Sequence, residues 1–161
     1  MGLRLGLVCV GRMKAGPERE LFQRYAQRIA EFRNLGLQGL EVKEIPESRA
    51  RAAAARIGEE GAALLAALPA EATLAVFDER GEAASSADFA GFVEKERDRG
   101  RANLWFAIGG AEGLDAALRE RAAVVYSFGK MTLPHQLVRI LAAEQIYRAM
   151  TILAGHPYHR E

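Results

Sequence analysis

A series of short, almost continuously apolar runs, alternating with amphipathic stretches, constrains this chain more than any other feature. Leu3 to Val10, Ala72 to Phe77, Leu104 to Ile108 and Ala123 to Phe128 have the length and the branched or aromatic content of strands. A strand apolar on both faces must be covered on both, as in a parallel sheet with helices on each side. Helix signals fill the intervals. Pro17 suits a first helical position, Glu18 and Glu20 favour the positive end of the dipole, and Leu21, Tyr25, Ile29 and Phe32 recur on one face. Ser48 opens an alanine-rich helix that packs through Ile57, Leu64, Leu65 and Leu68 and stops at Pro69. Ser85 and Asp88 have capping-box spacing for a third helix with Phe89, Phe92 and Val93 as its contacts. A short helix spans about Leu114 to Arg121, and a long one begins at Pro134 and stops near Ala154, before Gly155. Leu40, Val42 and Ile45 carry a weaker second strand, and Arg80-Gly81 reads as a turn. The pattern predicts an α/β fold in one domain over residues 1–161, a mostly parallel sheet flanked by helices, with ligands at the carboxyl ends of its strands.

Apolar residues run most of the way round the last helix, from Leu137 through Ile146 and Tyr147 to Leu153. One sheet face in a small domain covers only part of such a helix, so a homodimer interface is the natural use; a fully buried core helix is the other. The first apolar run is too short for a signal-peptide core or a membrane span, and the lone Cys9 inside it reads as a buried, inert thiol. A reducing cytoplasm fits both. Net charge is only +1, which gives no general argument for nucleic-acid binding. Basic residues outnumber acids from Gly11 to Arg33 and from Gly129 to the end, and acids dominate from Glu41 to Arg99. The basic ends are either solvated helix faces or an RNA-facing patch.

The familiar phosphate-binding and hydrolytic signatures are missing: no G-x-G-x-x-G after the first strand, no P-loop, no G-x-S-x-G, no H-E-x-x-H. Two loops remain. Gly109-Gly110-Ala111-Glu112-Gly113 follows the fourth strand, and Ser127-Phe128-Gly129-Lys130-Met131-Thr132-Leu133-Pro134 follows the fifth. Each is either a tight turn or half of a pocket in which bare backbone approaches a small molecule. All three histidines, His135, His156 and His159, lie near the carboxyl terminus with Arg139, Arg148, Tyr158 and Arg160. A polar, ring-bearing tail after a helix stop is a frayed end or a surface that meets a nucleic-acid base. No cysteine or acidic cluster completes a ligand set around His156 and His159, so no metal is expected.

Four segments carry a family resemblance: Ala107-Ile108-Gly109-Gly110-Ala111-Glu112-Gly113-Leu114, Leu133-Pro134-His135-Gln136-Leu137-Val138-Arg139, Glu144-Gln145-Ile146-Tyr147-Arg148-Ala149, and the terminal His156-Pro157-Tyr158-His159-Arg160-Glu161. With Val10-Gly11-Arg12-Met13-Lys14 and the overall length, they closely resemble the RlmH family, bacterial large-subunit rRNA pseudouridine N3 methyltransferases of the SPOUT class. The resemblance implies an α/β domain whose carboxyl-terminal segment is threaded through a trefoil knot, a tight homodimer, and S-adenosyl-L-methionine (AdoMet) bound at the knot. By position it places the adenosyl pocket at Phe77, Gly109 and the run Phe128, Gly129, Lys130, Met131, Thr132 and Leu133. It implies action on assembled ribosomes, with large-subunit rRNA as partner and each subunit's tail completing the other's site.

Methyl transfer from a sulfonium needs sulfur, methyl and base nitrogen held in line, and the imide proton relaxed or removed. By residue type, His159 is a candidate proton acceptor and His135 an equal one; Arg160 and Arg139 suit charge on the base or a phosphate, and Tyr158 suits stacking. Two other readings stay open: a ribosome-binding factor without catalysis, and a SPOUT methyltransferase acting on tRNA or another rRNA position.

Overall fold

The computed structural model describes residues 2–32 and 35–159. Strands β1 (Leu3–Val10), β2 (Leu37–Ile45), β3 (Thr73–Glu82), β4 (Asn103–Ile108) and β5 (Val124–Tyr126) alternate with helices α1 (Pro17–Glu31), α2 (Ala53–Ala67), α3 (Ser86–Asp98), α4 (Ala116–Arg121) and α5 (His135–Ala154). The sheet order is β2-β1-β4-β3-β5, with every neighbouring pair parallel. Two apolar clusters lie on opposite faces, as strands buried on both sides require. Leu5, Leu7, Phe106 and Phe77 pack with Ile29, Phe89, Ile146 and Met150 of α1, α3 and α5. Val8, Val76, Trp105 and Ala107 pack with Leu64 and Leu118 of α2 and α4. Cys9 is fully buried, as expected, and desolvation pushes its thiol up to about 12.

Several boundaries differ from the sequence reading. Phe22 and Ile29 are the buried residues of α1, whereas Leu21 points outward. The second strand starts three residues earlier than its apolar signal, because β2 is an edge paired only with β1 and leaves its other face half-exposed. Ser48 does not cap α2. Its backbone N–H donates to Glu60 and its hydroxyl to Glu59, anchoring a loop that delays the helix to Ala53. Arg80-Gly81 is not a turn but part of β3, which continues past an irregularity until Glu82 pairs with Tyr126. A Cβ on Gly81 would come within 2.6 Å of the Val125 carbonyl oxygen, so this glycine serves a close approach between strands. β5 ends at Tyr126, and Ser127-Phe128 already belong to the following loop.

The Ser85 hydroxyl caps α3, accepting from the Asp88 N–H at 3.0 Å. α5 runs from the carboxyl edge of the sheet back across α1 and α3 and ends at Gly155. Among the described residues no helix is long and apolar enough to cross a membrane.

Candidate active site

A cleft of about 450 Å³ opens at the carboxyl ends of β3 and β4. Three loops frame it: Phe77 to Arg80 after the regular part of β3, Gly109 to Leu114 after β4, and Phe128 to Leu133 after β5. The parallel strands deliver all three loops to one edge, the position where such sheets bind ligands. Its floor is apolar, from Ile108, Leu114 and Val138. The Phe77 and Phe128 rings stack at 4.9 Å with an interplanar angle of 11° and form one side.

The glycine loop curls on itself: the Gly113 N–H donates to the Gly110 carbonyl at 3.1 Å. A Cβ on Gly109 would lie 2.7 Å from the Gly113 carbonyl oxygen, so this turn closes only without a side chain there. In the third loop the Ser127 hydroxyl and Gly129 exchange hydrogen bonds with backbone atoms, at 3.0 Å from the Gly129 N–H and 2.9 Å to its carbonyl. That arrangement turns the chain under Phe128 and leaves Met131 84% exposed at the rim.

Of the predicted pocket residues, Phe77, Gly109, Phe128, Gly129, Met131, Thr132 and Leu133 all line the cleft; Lys130 does not. His135, first residue of α5, stands at its edge. The other predicted polar residues lie elsewhere. Arg139, expected to face a base or a phosphate, is 2% exposed and points into the fold. Its guanidinium pairs with Glu44 at 2.5 Å and donates to the Gly11 carbonyl at 3.0 Å. Burial raises the Glu44 carboxyl, but hydrogen bonds from the Met13 N–H and Arg139, with the charges of Arg139 and Arg12, outweigh it and hold Glu44 below its usual range.

Tyr158 folds against α5. Its hydroxyl donates to Glu144 at 2.7 Å, its ring meets Tyr147 edge-on at 4.7 Å, and Arg148 lies over it at 5.2 Å while chelating Glu144. Burial, Glu144 and Tyr25 together push the phenol well above its ordinary value, so it stays protonated. His159 Nδ1 is buried with no hydrogen-bond partner among the described residues. Arg160 lies outside the described residues. Tyr147 is twelve residues along α5 from His135, about 18 Å at the helical rise, and neither Tyr158 nor His159 lines the chain's own cleft.

Sequence reasoning passed over the charged wall of the cleft. Asp78, Glu79, Arg80 and Arg119 line it, and Arg119 donates to Asp78 at 2.9 Å and to the Leu114 carbonyl at 3.0 Å. The positional rule that singled out the glycine loop reaches Asp78 to Arg80 as well, since they follow the apolar run of β3; reading Arg80-Gly81 as a turn hid them. Arg119 carries no local signal. Among the described residues, no group of three or more His, Cys, Asp or Glu is placed to hold a metal.

The family model described as Predicted SPOUT methyltransferase matches residues 3–159. The chain belongs to the SPOUT methyltransferase family. Among its curated relatives, Ribosomal RNA large subunit methyltransferase H of Xanthobacter autotrophicus is 58% identical over 159 residues, covering 98% of this chain and 99% of that one. The protein of the same name from Methylocella silvestris is 55% identical over 160 residues, 99% of this chain and 100% of the other. Among solved structures, a probable methyltransferase from Bordetella pertussis superposes with a TM-score of 0.52 at 16% identity, covering 92% of this chain and 95% of that one. A probable methylase family protein from Haemophilus influenzae gives 0.52 at 11%, covering 99% and 70%. At such identities the structures speak for the SPOUT fold alone, and the three-loop cleft is the part of this SPOUT chain shaped for a ligand.

Proposed function

We propose that this SPOUT chain is an AdoMet-dependent methyltransferase acting on large-subunit rRNA, specifically on N3 of a pseudouridine in assembled ribosomes. It works as a cytoplasmic homodimer of one-domain subunits, each knotted near its carboxyl terminus. One observation carries the reading: the cleft that gathers the predicted loops lies in a chain that shares more than half its sequence, end to end, with proteins named for large-subunit rRNA methylation.

The residues present fit the cofactor. A volume of about 450 Å³ is within the range of small-molecule sites, and the apolar floor with the Phe77–Phe128 pair suits an adenosyl group. The backbone of Gly109 and Gly129, bare of side chains, suits its edges. Glu79, beside Asp78 and Glu112 that pair with Arg119 and Arg56, gives the cleft a carboxylate suited to a sulfonium or an ammonium. When bound, AdoMet supplies an electrophilic methyl group, so the chain's own task is alignment and deprotonation.

His135 at the cleft edge is placed to accept the N3 proton on an imidazole nitrogen. The tail of the second subunit brings His159 as the other proton acceptor and Arg160 for negative charge building on the base, while Tyr158, held by Glu144, Tyr147 and Arg148, anchors that tail to α5. In its own chain the Tyr158 ring rests on Tyr147 in the body of α5 and does not line the cleft, which favours supply from a partner. Leu137 and Leu141, one turn apart on α5 and both more than a third exposed, suit the subunit contact. Arg139 serves the reaction by holding the first turns of α5, which carry the cleft residues His135 and Val138, to the ends of β1 and β2.

A deletion strain tests this. Mass spectrometry of its rRNA should show one pseudouridine of the large subunit lacking its N3 methyl, restored by the intact gene; an unaltered large subunit with a methyl missing from tRNA would transfer the assignment to another RNA.

A further inference from the structure

The cleft's glycine loop has little of its own to hold it. Between Ile108 and the buried Leu114, the Gly110–Gly113 bridge is the one backbone hydrogen bond within the loop among the described residues, and Ala111 and Glu112 at its tip are exposed. Ordering such a loop when a ligand arrives costs conformational entropy, so a contact that orders it beforehand raises affinity. Helix α2 stands behind it: a Cβ on Gly110 would come within 2.9 Å of Glu60 Oε1, and one on Gly61 within 2.6 Å of Asp115 Cβ. From the same helix Arg56 reaches over the tip. Its Nη1 donates to the carbonyls of Ala50 at 2.8 Å and Arg51 at 2.7 Å, and its Nη2 pairs with Glu112. The guanidinium thus joins the segment before α2 to the loop after β4, while its neighbour Ile57 lines the cleft and Arg56 itself does not.

We propose that Arg56 is a positioning residue that pre-orders the glycine loop through Glu112 and thereby sets the affinity for the adenosyl cofactor. The proposal rests on the AdoMet reading of the cleft. Two features separate it from a merely structural role. An ion pair so open to water contributes little to global stability, so the fold does not depend on it. The pair also bridges two segments that no other side-chain hydrogen bond joins among the described residues, and one of them is the cleft wall.

The test is calorimetric binding of AdoMet to the purified full chain. Arg56→Ala should raise Kd about three- to tenfold, with the melting temperature within about 2 °C of wild type. Turnover at saturating AdoMet should be unchanged while KM for AdoMet rises in step with Kd, the mark of lost ground-state binding. Because Glu112 touches the cleft, its own substitution is ambiguous, and the double variant resolves it. Arg56→Ala with Glu112→Ala should bind no worse than the weaker single variant if the two act as one contact. Wild-type affinity in Arg56→Ala, or losses that simply add in the double variant, would overturn the proposal while leaving the cofactor assignment standing. A wild-type chain with no affinity for AdoMet would overturn both.

Discussion

Arg139 and Glu44 are one unit with unequal exposure: the guanidinium is 2% exposed and the carboxylate side chain 35%. Removing either therefore has a different cost. Glu44→Ala leaves a buried cation without its partner and should destabilise by about 3 kcal/mol in urea titrations, whereas Arg139→Met leaves a carboxylate that water can reach and should cost about 1 kcal/mol or less. The Glu44 carboxyl is held below its ordinary value of 4.5, so its contribution is complete above that pH and is lost as pH falls through the lower folded value. Acid unfolding of Glu44→Gln should accordingly show a shallower loss of stability below pH 4.5 than wild type; parallel curves would contradict the network. Cys9, with its thiol pushed up to about 12, should resist thiol reagents at pH 8 until the chain is unfolded. Its burial was readable from the apolar run around it. The burial of Arg139 was not, because a long cation in an amphipathic helix looks the same in sequence whether it meets water or a carboxylate 95 residues away.

Where an element was marked by its own residues, it was legible. The Ser85 cap, the Pro17 start, the Gly155 stop and the apolar cores of β1, β3, β4 and β5 all follow from local chemistry. Tertiary contact decided the rest. β2 extends along β1 beyond its own apolar signal, β3 runs through Arg80-Gly81 because Tyr126 pairs there, and Glu59 and Glu60 detain Ser48 outside α2. The cleft shows the same division: bare backbone revealed the glycine loop, while Arg119 reached Asp78 from a helix 41 residues on. Gly109→Ala is the sharpest probe of this element, since the added methyl would meet a carbonyl oxygen at 2.7 Å. The loop must shift, and affinity for AdoMet should fall at least about tenfold with the fold retained. Equal binding by wild type and Gly109→Ala would remove the loop from the site.

On the proposed function, a chain of 161 residues with net charge +1 both binds a cofactor and receives a nucleobase. One chain presents the cleft at the amino end of α5 and the tail near its middle, and two chains can bring them together. Sedimentation should show a dimer, and Leu137→Glu with Leu141→Glu should give a monomer without transfer activity. Mixing a cleft variant, Gly109→Ala, with a tail variant, His159→Ala, should restore part of the activity if subunits exchange, since one site in the mixed dimer then has both halves intact. The most direct test of the account is transfer of labelled methyl from AdoMet to ribosomes prepared from a strain lacking this gene. The label should appear in large-subunit rRNA, on N3 of a single pseudouridine; label in no RNA, or only in RNA outside the large subunit, would contradict it.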